Sequence, residues 1–474
     1  MHAATLPEKL ADQLRAQGQT HLIDHAATLE GGRQEAFVAQ LRSFDLDAIG
    51  GYIELYGRAY TPPPPPASIE PACCYTLDGD WDREHYRSRG EELIRSGKVA
   101  CFTVAGGQGS RLGYEGPKGC FPTSCVTEKP LFQLFAESIN KAQKKYGCVI
   151  PWAVMTSPLN HEATVAFFEA SNCFGLDREQ IMFFQQGVMP SFDLDTGRLL
   201  LAEPGVLATN PDGHGGAYKA LKVSGALDTM LARGIEQLSY FQVDNPHAKI
   251  IDPVFIGLHA FAPDSSGQMS SKMVAKAAWD EKVGVFCSVE GRTEIIEYSD
   301  LPEELAKRKV EGGSLAFNAG SIAIHAVSLA FIERMVSDPG YALPFHRAHK
   351  KVAFVDPFSG QAVTPSSPNA IKLERFVFDG IRLADQSIVV ETDRVEEFAP
   401  VKNATGADSI ESSRVLQTER AARWLESAGV AIPRKSDGSV DAVIELSPLT
   451  AIGPDDLRPL DLPGLVETGS SVVF

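Results

Sequence analysis

Residues 104–119 have the composition of a phosphate-binding loop. The stretch VAGGQGSRLGYEGPKG holds six glycines together with Arg111 and Lys118, directly after an apolar run. Because glycine lacks a Cβ, main-chain N–H groups can approach a ligand closely, and consecutive N–H groups form a nest that accepts an anion. Arg111 would add a planar fork of donors to this nest, and Lys118 a mobile point charge. The stretch therefore predicts a phosphate-binding loop rather than a simple turn.

The spacing of the glycines excludes two common phosphate loops. A dinucleotide-binding G-x-G-x-x-G that began at Gly107 would need glycine at position 112, where Leu112 stands. A Walker A loop needs lysine directly after its last glycine, whereas Pro117 intervenes before Lys118. What remains is the specific pattern G-G-x-G-[ST]-R-[LM]-G, followed by P-K.

An acidic residue follows another apolar run. In the sequence FQVDN, Asp244 comes directly after residues that have the pattern of a buried strand. A carboxylate beside a phosphate-rich ligand is a natural hard oxygen ligand for Mg²⁺. The alternative is that Asp244 caps the next segment. Asp252 lies nearby, but DPVF is typical of a helix N-cap with proline at the first helical position, so we leave Asp252 out of the site.

These residues must be positioned by strands and helices that alternate from residue 98 to about residue 395. The pattern of residues 130–147 predicts a helix, with Gly147 as its C-cap. Strand–helix alternation implies right-handed crossovers, and hence an α/β fold with a doubly wound, mostly parallel sheet covered on both faces. Ligands of such folds bind beyond the carboxyl ends of the strands. The predicted buried strands are residues 99–104, 151–156, 238–243 and 283–289. The stretch FNAGSIAIH, residues 317–325, is also predicted to be a strand, and it carries Asn318.

The two ends of the chain have different patterns. Residues 5–58 predict helices, since apolar residues such as Leu10 and Leu14 recur at the spacing of one buried helical face. The segment TPPPPPA, residues 61–67, favours a stiff polyproline II spacer; a ligand for an SH3-type domain is the alternative. Near the C-terminus, SVDAVIELSPLTAIGPDDL indicates short strands with turns.

Composition bounds the class of protein. A chain of 474 residues exceeds one ordinary core, so two or three domains are expected, and 44% hydrophobic and 22% charged residues are typical of a globular protein. The formal net charge of −17 argues against nucleic acid or an anionic membrane as a partner. We find neither a secretion signal nor a run of 18 apolar residues. Eight scattered cysteines without zinc spacing indicate reduced thiols in a cytoplasmic protein.

Several separate stretches carry a resemblance to a known family. They are VAGGQGSRLG, FFQQGVMPSFD, NPDGHGGAYKAL, VDNPHAKIIDPVFIGL, FNAGSIAIH, PNAIKLERFVFD and EEFAPVKNATG, in this order along the chain. Together they resemble the UDP-sugar pyrophosphorylase (UDPGP type 1) superfamily, and more closely its UDP-N-acetylhexosamine pyrophosphorylase branch, over roughly residues 8–450.

The resemblance implies an architecture in three parts. The expected catalytic domain, a Rossmann-like nucleotide-diphospho-sugar transferase fold, spans residues 61–400. An N-terminal helical extension is expected at residues 1–60, and a helix with a small β-rich part at residues 401–474. The C-terminal part serves either the active site or contact between subunits in such proteins, so a monomer and a homodimer both stay open.

The resemblance also implies roles for individual residues. A glutamine amide such as that of Gln186 offers a donor and an acceptor together, as the imide edge of uracil requires. A lone lysine is usually a solvated charge, so the roles of the two late lysines rest on the resemblance. The implied roles are nucleotide binding by Ala105, Gly106, Gly107, Gly109, Lys118, Gln186 and Gly213, sugar binding by His214, Glu297, Asn318 and Lys372, catalysis by Arg111, Lys118 and Lys402, and Mg²⁺ binding by Asp244.

The implied reaction joins UTP and a sugar 1-phosphate into a UDP-sugar with release of pyrophosphate. The branch favours N-acetylglucosamine 1-phosphate, although His214 stands where the animal and fungal proteins of this branch usually carry asparagine, which puts the sugar in question. A glucose-1-phosphate or broad-specificity UDP-sugar pyrophosphorylase is the enzymatic alternative. A catalytically silent sugar-nucleotide sensor is the alternative from another class, and it would require a damaged loop or a missing aspartate.

Overall fold

The structure is a computed structural model that describes residues 6–57, 60–62, 64 and 66–474. Parts of the predicted N-terminal helices and of the proline-rich spacer, namely residues 5, 58, 63 and 65, lie outside these described residues. The chain divides into two compact units. The first comprises Met1–Pro65, Gly187–Gly216 and Leu343–Val377, and the second comprises Pro66–Gln186, Ala217–Ala342 and Phe378–Phe474. The three-part division into residues 1–60, 61–400 and 401–474 stays a prediction.

The helices lie at both ends of the chain and between the strands. They are α1 (Glu8–Ala16), α2 (Thr20–Thr28), α3 (Gly32–Arg42), α4 (Leu46–Tyr56), α5 (Arg83–Arg95), α6 (Leu131–Tyr146), α7 (His161–Ala170), α8 (Ala217–Val223), α9 (Ala226–Ala232), α10 (Pro253–Phe261), α11 (Glu303–Lys307), α12 (Leu329–Ser337), α13 (Asp379–Leu383), α14 (Arg394–Glu397) and α15 (Ile410–Ser427). No helix in the described part of the chain is long and apolar enough to span a bilayer.

The strands form one large sheet and several small ones. They are β1 (Ile69–Pro71), β2 (Val99–Val104), β3 (Trp152–Thr156), β4 (Ile181–Gln185), β5 (Val188–Pro190), β6 (Phe192–Asp193), β7 (Leu201–Glu203), β8 (Val206–Leu207), β9 (Thr209–Pro211), β10 (Gln237–Gln242), β11 (Met269–Ala275), β12 (Val285–Val289), β13 (Arg292–Ile296), β14 (Ala319–Ser328), β15 (His346–Lys350), β16 (Phe354–Val355), β17 (Ala362–Val363), β18 (Ala370–Glu374), β19 (Val389–Glu391), β20 (Val443–Glu445) and β21 (Ser471–Val473).

The second unit is built on the large sheet, whose order is β1-β12-β14-β10-β2-β3-β4. Strands β10, β2, β3 and β4 pair in parallel. Strand β14 continues the sheet antiparallel to β10, and also pairs with β11, which in turn pairs in parallel with β19. The predicted doubly wound α/β sheet is therefore confirmed, with antiparallel strands added at one side. The carboxyl ends of β10, β2, β3 and β4 meet at one edge, where ligands of such folds bind.

The residues that form this core follow the sequence expectations closely. All six residues of β2 are buried, as the apolar run predicts. Helix α6 ends at Gly147, which adopts φ of +69°, the left-handed conformation of a C-cap glycine. Asp252 caps α10 by accepting a hydrogen bond from the Val254 N–H at 3.1 Å, as DPVF predicts. Two predicted strands are shorter than expected, since β3 begins at Trp152 rather than at residue 151 and β12 begins at Val285 rather than at residue 283.

Helices α5 and α10 cross at two glycines. A Cβ on Gly90 would lie 1.8 Å from the carbonyl oxygen of Pro253, and a Cβ on Gly257 would lie 1.9 Å from that of Tyr86. Only glycine permits this approach, which packs two helical backbones directly on each other.

The C-terminal part of the second unit is held by helix α15 and by one glutamate. Its β structure is limited to β20 and β21, which pair in parallel. The carboxylate of Glu445 on β20 accepts hydrogen bonds from the N–H groups of Val126 and Thr127 at 2.7 and 2.8 Å. This contact joins the C-terminal part to the segment that follows the glycine-rich loop.

The first unit combines the helices α1–α4 with small sheets. Strands β15, β18 and β6 form one sheet, β17, β16, β7 and β8 a second, and β5 and β9 a pair. The buried amide of Gln19 joins the helices to the strands, because it donates to the Gly197 carbonyl at 3.1 Å and accepts from the Leu199 N–H at 2.8 Å.

Candidate active site

The glycine-rich loop begins where β2 ends, and it holds a row of main-chain donors without partners. The N–H groups of Gly106, Gly107 and Gln108 make no hydrogen bond within the described part of the chain. Gly107 and Gln108 are exposed and Gly106 is half-buried, so a ligand can reach all three. A run of free N–H groups is the feature that binds anions in phosphate loops.

Two of the predicted loop residues, Ala105 and Gly109, have main-chain N–H groups that are already bonded within the protein. The N–H of Ala105 donates to the carbonyl of Met155 at 2.7 Å, which continues the pairing of β2 with β3. The N–H of Gly109 donates to the carbonyl of Gly116 at 2.9 Å, inside the loop itself. These two N–H groups are therefore used inside the protein, whereas those of the three consecutive residues 106–108 are free.

The chain returns to this segment with a lysine. The N–H of Lys118 donates to the carbonyl of Gly107 at 3.1 Å, and its side-chain ammonium lies 3.3 Å from Oδ2 of Asp244. The two side chains are 14% and 18% exposed, so they stay accessible from the edge of the sheet. An ammonium has three N–H donors. Lys118 therefore retains donors for an anionic ligand.

The donor set at Asp244 fits a magnesium ion that is shared with phosphates. In the regions that the structure describes, no group of three or more His, Cys, Asp and Glu side chains could hold a metal by itself. Mg²⁺ is commonly bound through one or two carboxylates together with substrate phosphates and water, rather than by a cage of protein ligands. A single carboxylate beside the phosphate-binding segment meets that requirement.

One residue that the sequence analysis missed ties the Asp244 turn to a later segment. The buried amide of Asn245 donates to the carbonyl of Glu397 at 2.7 Å and accepts from the N–H of Ala399 at 3.1 Å. The N–H of Val401 then donates to the main-chain carbonyl of Asp244 at 2.8 Å. These bonds place Lys402, the next residue, beside the Asp244 turn.

The two remaining predicted phosphate cations in this unit are loosely held. The ammonium of Lys402 lies 3.8 Å from Oδ2 of Asp408, with both side chains more than a third exposed. Arg111 is exposed on the 3₁₀ turn Ser110–Leu112 and forms no ion pair with a described residue. Both cations can reorient toward a ligand at small cost, since exposed ion pairs contribute about 0–1 kcal/mol.

The predicted uracil contact lies against the phosphate segment. The side-chain amide of Gln186 packs directly on Gly106, with Oε1 only 2.7 Å from the point where that residue would carry a Cβ. The N–H of Gln186 donates to the Thr156 carbonyl at 2.8 Å, whereas its side-chain amide has no hydrogen-bond partner among the described residues. The amide is therefore positioned and still free to pair with a base.

Two of the predicted sugar contacts lie near the antiparallel strands. Asn318 immediately precedes β14 instead of lying within it, because its carbonyl accepts the N–H groups of Lys276 and Gly320 at 2.8 and 2.9 Å. Its half-buried side-chain amide has no partner in the described chain. Glu297 is half-buried just after β13, and its carboxylate lies 3.5 Å from the point where Gly284 would carry a Cβ.

The other predicted contacts belong to the first unit. Gly213 adopts φ of +84°, and a Cβ there would lie 2.3 Å from the carbonyl oxygen of Arg375, so this turn requires glycine. Lys372 lies on β18, which leads directly into Arg375. It is half-buried and forms no ion pair with any described residue.

His214 is a neutral imidazole at physiological pH. Burial, with a smaller contribution from the nearby His346, lowers the pKa of His214 to about 4. Its Nδ1 accepts a hydrogen bond from the N–H of Val377 at 3.1 Å, so the single proton of the neutral ring is on Nε2. The ring also stacks on Phe376, with centroids 5.3 Å apart. His214 is thus a fixed polar residue rather than an acid–base group.

Three buried charged side chains, Lys272, Asp252 and Glu397, form a cluster that we call the closed cluster. The ammonium of Lys272 lies 2.6 Å from Oδ2 of Asp252 and 2.5 Å from Oε2 of Glu397, and all three side chains are buried. Burial alone would lower the pKa of Lys272, but the two carboxylates outweigh it and raise that pKa. Because the carbonyl of Glu397 also binds Asn245, this cluster fixes the segment that leads to Lys402.

A separate cavity of about 290 Å³ is lined by the closed cluster and by parts of α15 and the C-terminal segment. The residues that line it include Trp81, Arg420 and Trp424, and they include none of the predicted site residues. The indole N–H of Trp424 is already bonded to Glu396 at 2.7 Å. The cavity is therefore distinct from the edge of the sheet where the loop lies.

The fold and the site define the class of protein first. A doubly wound sheet, with a glycine-rich loop that has free amides and an aspartate at the carboxyl ends of the strands, is the arrangement of a nucleotidyltransferase. The model of the UDPGP family, described as UTP–glucose-1-phosphate uridylyltransferase, matches residues 80–428. The chain belongs to this family.

Similar proteins indicate which branch of the family this chain resembles. The chain is 38% identical over 378 residues to the UDP-N-acetylglucosamine pyrophosphorylase of Saccharomyces cerevisiae, covering 78% of each. It is 34% identical to the UDP-N-acetylhexosamine pyrophosphorylase-like protein 1 of Homo sapiens, over 94% of this chain and 93% of the relative. The crystal structure of the uridine diphosphate N-acetylglucosamine pyrophosphorylase of Trypanosoma brucei superposes with a TM-score of 0.80 at 26% identity, covering 95% and 94% of the two chains.

Proposed function

We propose that this chain makes UDP-N-acetylglucosamine and pyrophosphate from UTP and N-acetylglucosamine 1-phosphate. The observation that carries the proposal is the row of free N–H groups at residues 106–108, with the free amide of Gln186 on one side and the Lys118–Asp244 pair on the other. This arrangement suits a base attached to a chain of phosphates. A catalytically silent sensor is not supported, because neither the loop nor the aspartate is damaged.

The reaction needs no acid–base residue. An oxygen of the sugar 1-phosphate attacks the α-phosphorus of UTP in line, a new P–O bond forms, and the bond to the β-phosphate oxygen breaks as pyrophosphate leaves. Lys118, Arg111 and Lys402 neutralise charge on the phosphates. Catalysis is then positioning with electrostatic stabilisation, and positioning alone can contribute about 7–11 kcal/mol.

Asp244 would hold a divalent cation, which we propose to be Mg²⁺. When bound, such an ion supplies positive charge for phosphate oxygens. Asp244 is already paired with Lys118, and a divalent cation would further offset the repulsion between its carboxylate and the triphosphate.

The acceptor sugar would be held by the residues that the family resemblance assigns. We propose that Asn318 and Glu297 contact the sugar hydroxyls. We also propose that His214 contacts the sugar in place of the asparagine usual in animal and fungal members, and that Lys372 binds the phosphate of the sugar. The resemblance also assigns a uracil contact to Gly213. We also propose a cytoplasmic location, since all eight cysteines, which lie in the described chain, are free thiols. The protein would be a monomer or a homodimer. It would bind neither nucleic acid nor membrane, in keeping with its net charge of −17.

The names of the similar proteins favour N-acetylglucosamine, whereas the family model is described by glucose 1-phosphate. A panel of sugar 1-phosphates with UTP and Mg²⁺, scored by pyrophosphate release, separates these acceptors. We expect the highest kcat/KM with N-acetylglucosamine 1-phosphate. A higher value with glucose 1-phosphate would identify the alternative enzyme, and no release with any acceptor would overturn the proposed function.

A further inference from the structure

The free amides of the loop require an explanation, because glycine alone does not determine which way a peptide group faces. Each peptide plane carries its C=O and the following N–H on opposite sides. A phosphate nest forms only if the carbonyls of the loop are held away from the ligand. A side chain that holds them is a positioning residue of the nest. The carbonyl of Gly107 also accepts the main-chain N–H of Lys118, whereas that of Ala105 does not.

Asn160 makes this contact. It lies after β3, at the same edge of the sheet as the loop, and only 1% of its surface is exposed. Its Nδ2 donates to the carbonyl of Ala105 at 2.9 Å and to the carbonyl of Gly107 at 3.2 Å. The N–H groups that follow these carbonyls belong to Gly106 and Gln108, two of the free donors.

The amide of Asn160 is itself fixed in orientation. Its Oδ1 accepts hydrogen bonds from the main-chain N–H and from the hydroxyl of Ser157, at 2.8 and 3.0 Å. The bonds to Ser157 use the oxygen, so the NH₂ group must face the loop carbonyls. Because both ends of the amide are occupied inside the protein, Asn160 does not bind ligand and acts through the loop.

We propose that Asn160 is a positioning residue that turns two loop carbonyls inward, so that the N–H groups of Gly106 and Gln108 face the phosphates of the nucleotide. The proposal rests on the proposed function for the identity of the ligand. It deepens that function, because it names the side chain that makes the glycine-rich segment an anion site.

The variant Asn160→Asp separates this role from that of holding the turn at Ser157. Aspartate retains an oxygen that accepts from the N–H and the hydroxyl of Ser157. It has no N–H to donate when ionised, so its other oxygen would repel the two carbonyls. A residue that only held the Ser157 turn would tolerate the change, whereas the positioning role would not.

The test compares Asn160→Asp and Asn160→Ala with Gln180→Ala. Gln180 is a matched control, because its buried amide donates to the Ile150 carbonyl at 3.0 Å, near the opposite ends of β3 and β4. Melting temperature reports the cost to the fold in each variant. UTP binding by calorimetry reports the nest directly, and KM values for the two substrates report it during turnover.

We expect both Asn160 variants to weaken UTP binding and to raise KM for UTP by about ten- to a hundredfold, the effect of misaligning two bonds to a charged group. KM for the sugar 1-phosphate should stay within about twofold, and Gln180→Ala should lose stability without losing UTP affinity. Normal UTP affinity in folded Asn160→Asp would overturn the inference, and so would an equal loss in Gln180→Ala. If Asn160→Ala does not fold, Asn160→Asp decides.

The two proposals fail differently. Calorimetry of UTP needs no acceptor sugar and no turnover, so it tests the role of Asn160 even if the acceptor panel gives another product. Wild-type protein that binds UTP but releases no pyrophosphate would contradict the proposed function and leave the comparison of Asn160 variants decisive for the loop.

Discussion

Two lysine–aspartate pairs in the second unit have opposite properties. Lys118 and Asp244 lie 3.3 Å apart at the edge of the sheet and are 14% and 18% exposed. Lys272 and Asp252 lie 2.6 Å apart and are 2% and 9% exposed. Lys272 also binds Glu397, so its donors are used, whereas Lys118 donates to a single carboxylate within the described chain. The first pair retains capacity for a ligand and the second does not.

The comparison indicates that one ion pair of this unit serves ligand binding and the other serves the stability of the fold. Breaking a closed pair leaves a buried charge without compensation, which is costly. Breaking an open pair exposes groups that water already reaches, so the fold loses little. The same substitution type should therefore affect turnover at one pair and stability at the other.

The largest expected effect is on turnover at the open pair. Asp244→Asn keeps the shape and the main-chain bond to Val401 but removes the charge that would hold Mg²⁺. We expect kcat/KM to fall at least about a hundredfold, the size of loss seen when one electrostatic stabiliser is removed. The melting temperature should change little. Asp280→Asn, at an exposed aspartate of the same unit, is the control, and near-normal rates in Asp244→Asn would break the comparison.

The next effect is on stability at the closed pair. Lys272→Met leaves the carboxylates of Asp252 and Glu397 buried without their cation, so we expect the free energy of unfolding in urea to fall by about 3–5 kcal/mol. Lys249→Met is the control, because Lys249 lies 3.3 Å from Oδ1 of the same Asp252 but is 37% exposed. That control should cost at most about 1 kcal/mol. Equal losses in the two variants would contradict the distinction.

The smallest effect concerns the pH dependence of stability, at a buried histidine of the second unit. His259 is buried between Ser270 and Gln237, and burial lowers its pKa to about 3. Below pH of about 6.5, His259 binds a proton in the unfolded chain but not in the folded protein, so the free energy of unfolding falls as the pH falls. The contribution of this histidine reaches about 1.4 kcal/mol per pH unit.

Urea unfolding at pH 7, 6 and 5 measures that slope. Replacement by a side chain that does not titrate, His259→Asn, should make the loss of stability on acidification smaller than in the wild type, whatever its effect at pH 7. A slope that stays the same in the variant would show that His259 titrates normally in the folded protein.

Much of the scaffold could be predicted from the sequence, because its signals are local. The buried strand at residues 99–104, the C-cap at Gly147 and the N-cap at Asp252 each depend on a few neighbouring residues, and all three are confirmed. The family could also be recognised, because its motifs occur in order along the chain. Asn318 was displaced by one position from the predicted strand, which is the usual uncertainty of an element boundary.

The details of the site could not be predicted, because they depend on contacts between distant segments. Glycine content indicates that amides can be free, but Met155 and Gly116 determine that those of Ala105 and Gly109 are not. Asn160 has only a local signal, that of an asparagine before a helix, and its contact with the loop requires the parallel pairing of β2 and β3.

A crystal structure of the protein with UTP and Mg²⁺ tests the central claim most directly. We predict phosphate oxygens about 3 Å from the N–H groups of Gly106 and Gln108, the uracil edge on Gln186, and the metal ion on Asp244. A triphosphate bound at any other part of the chain would contradict the account.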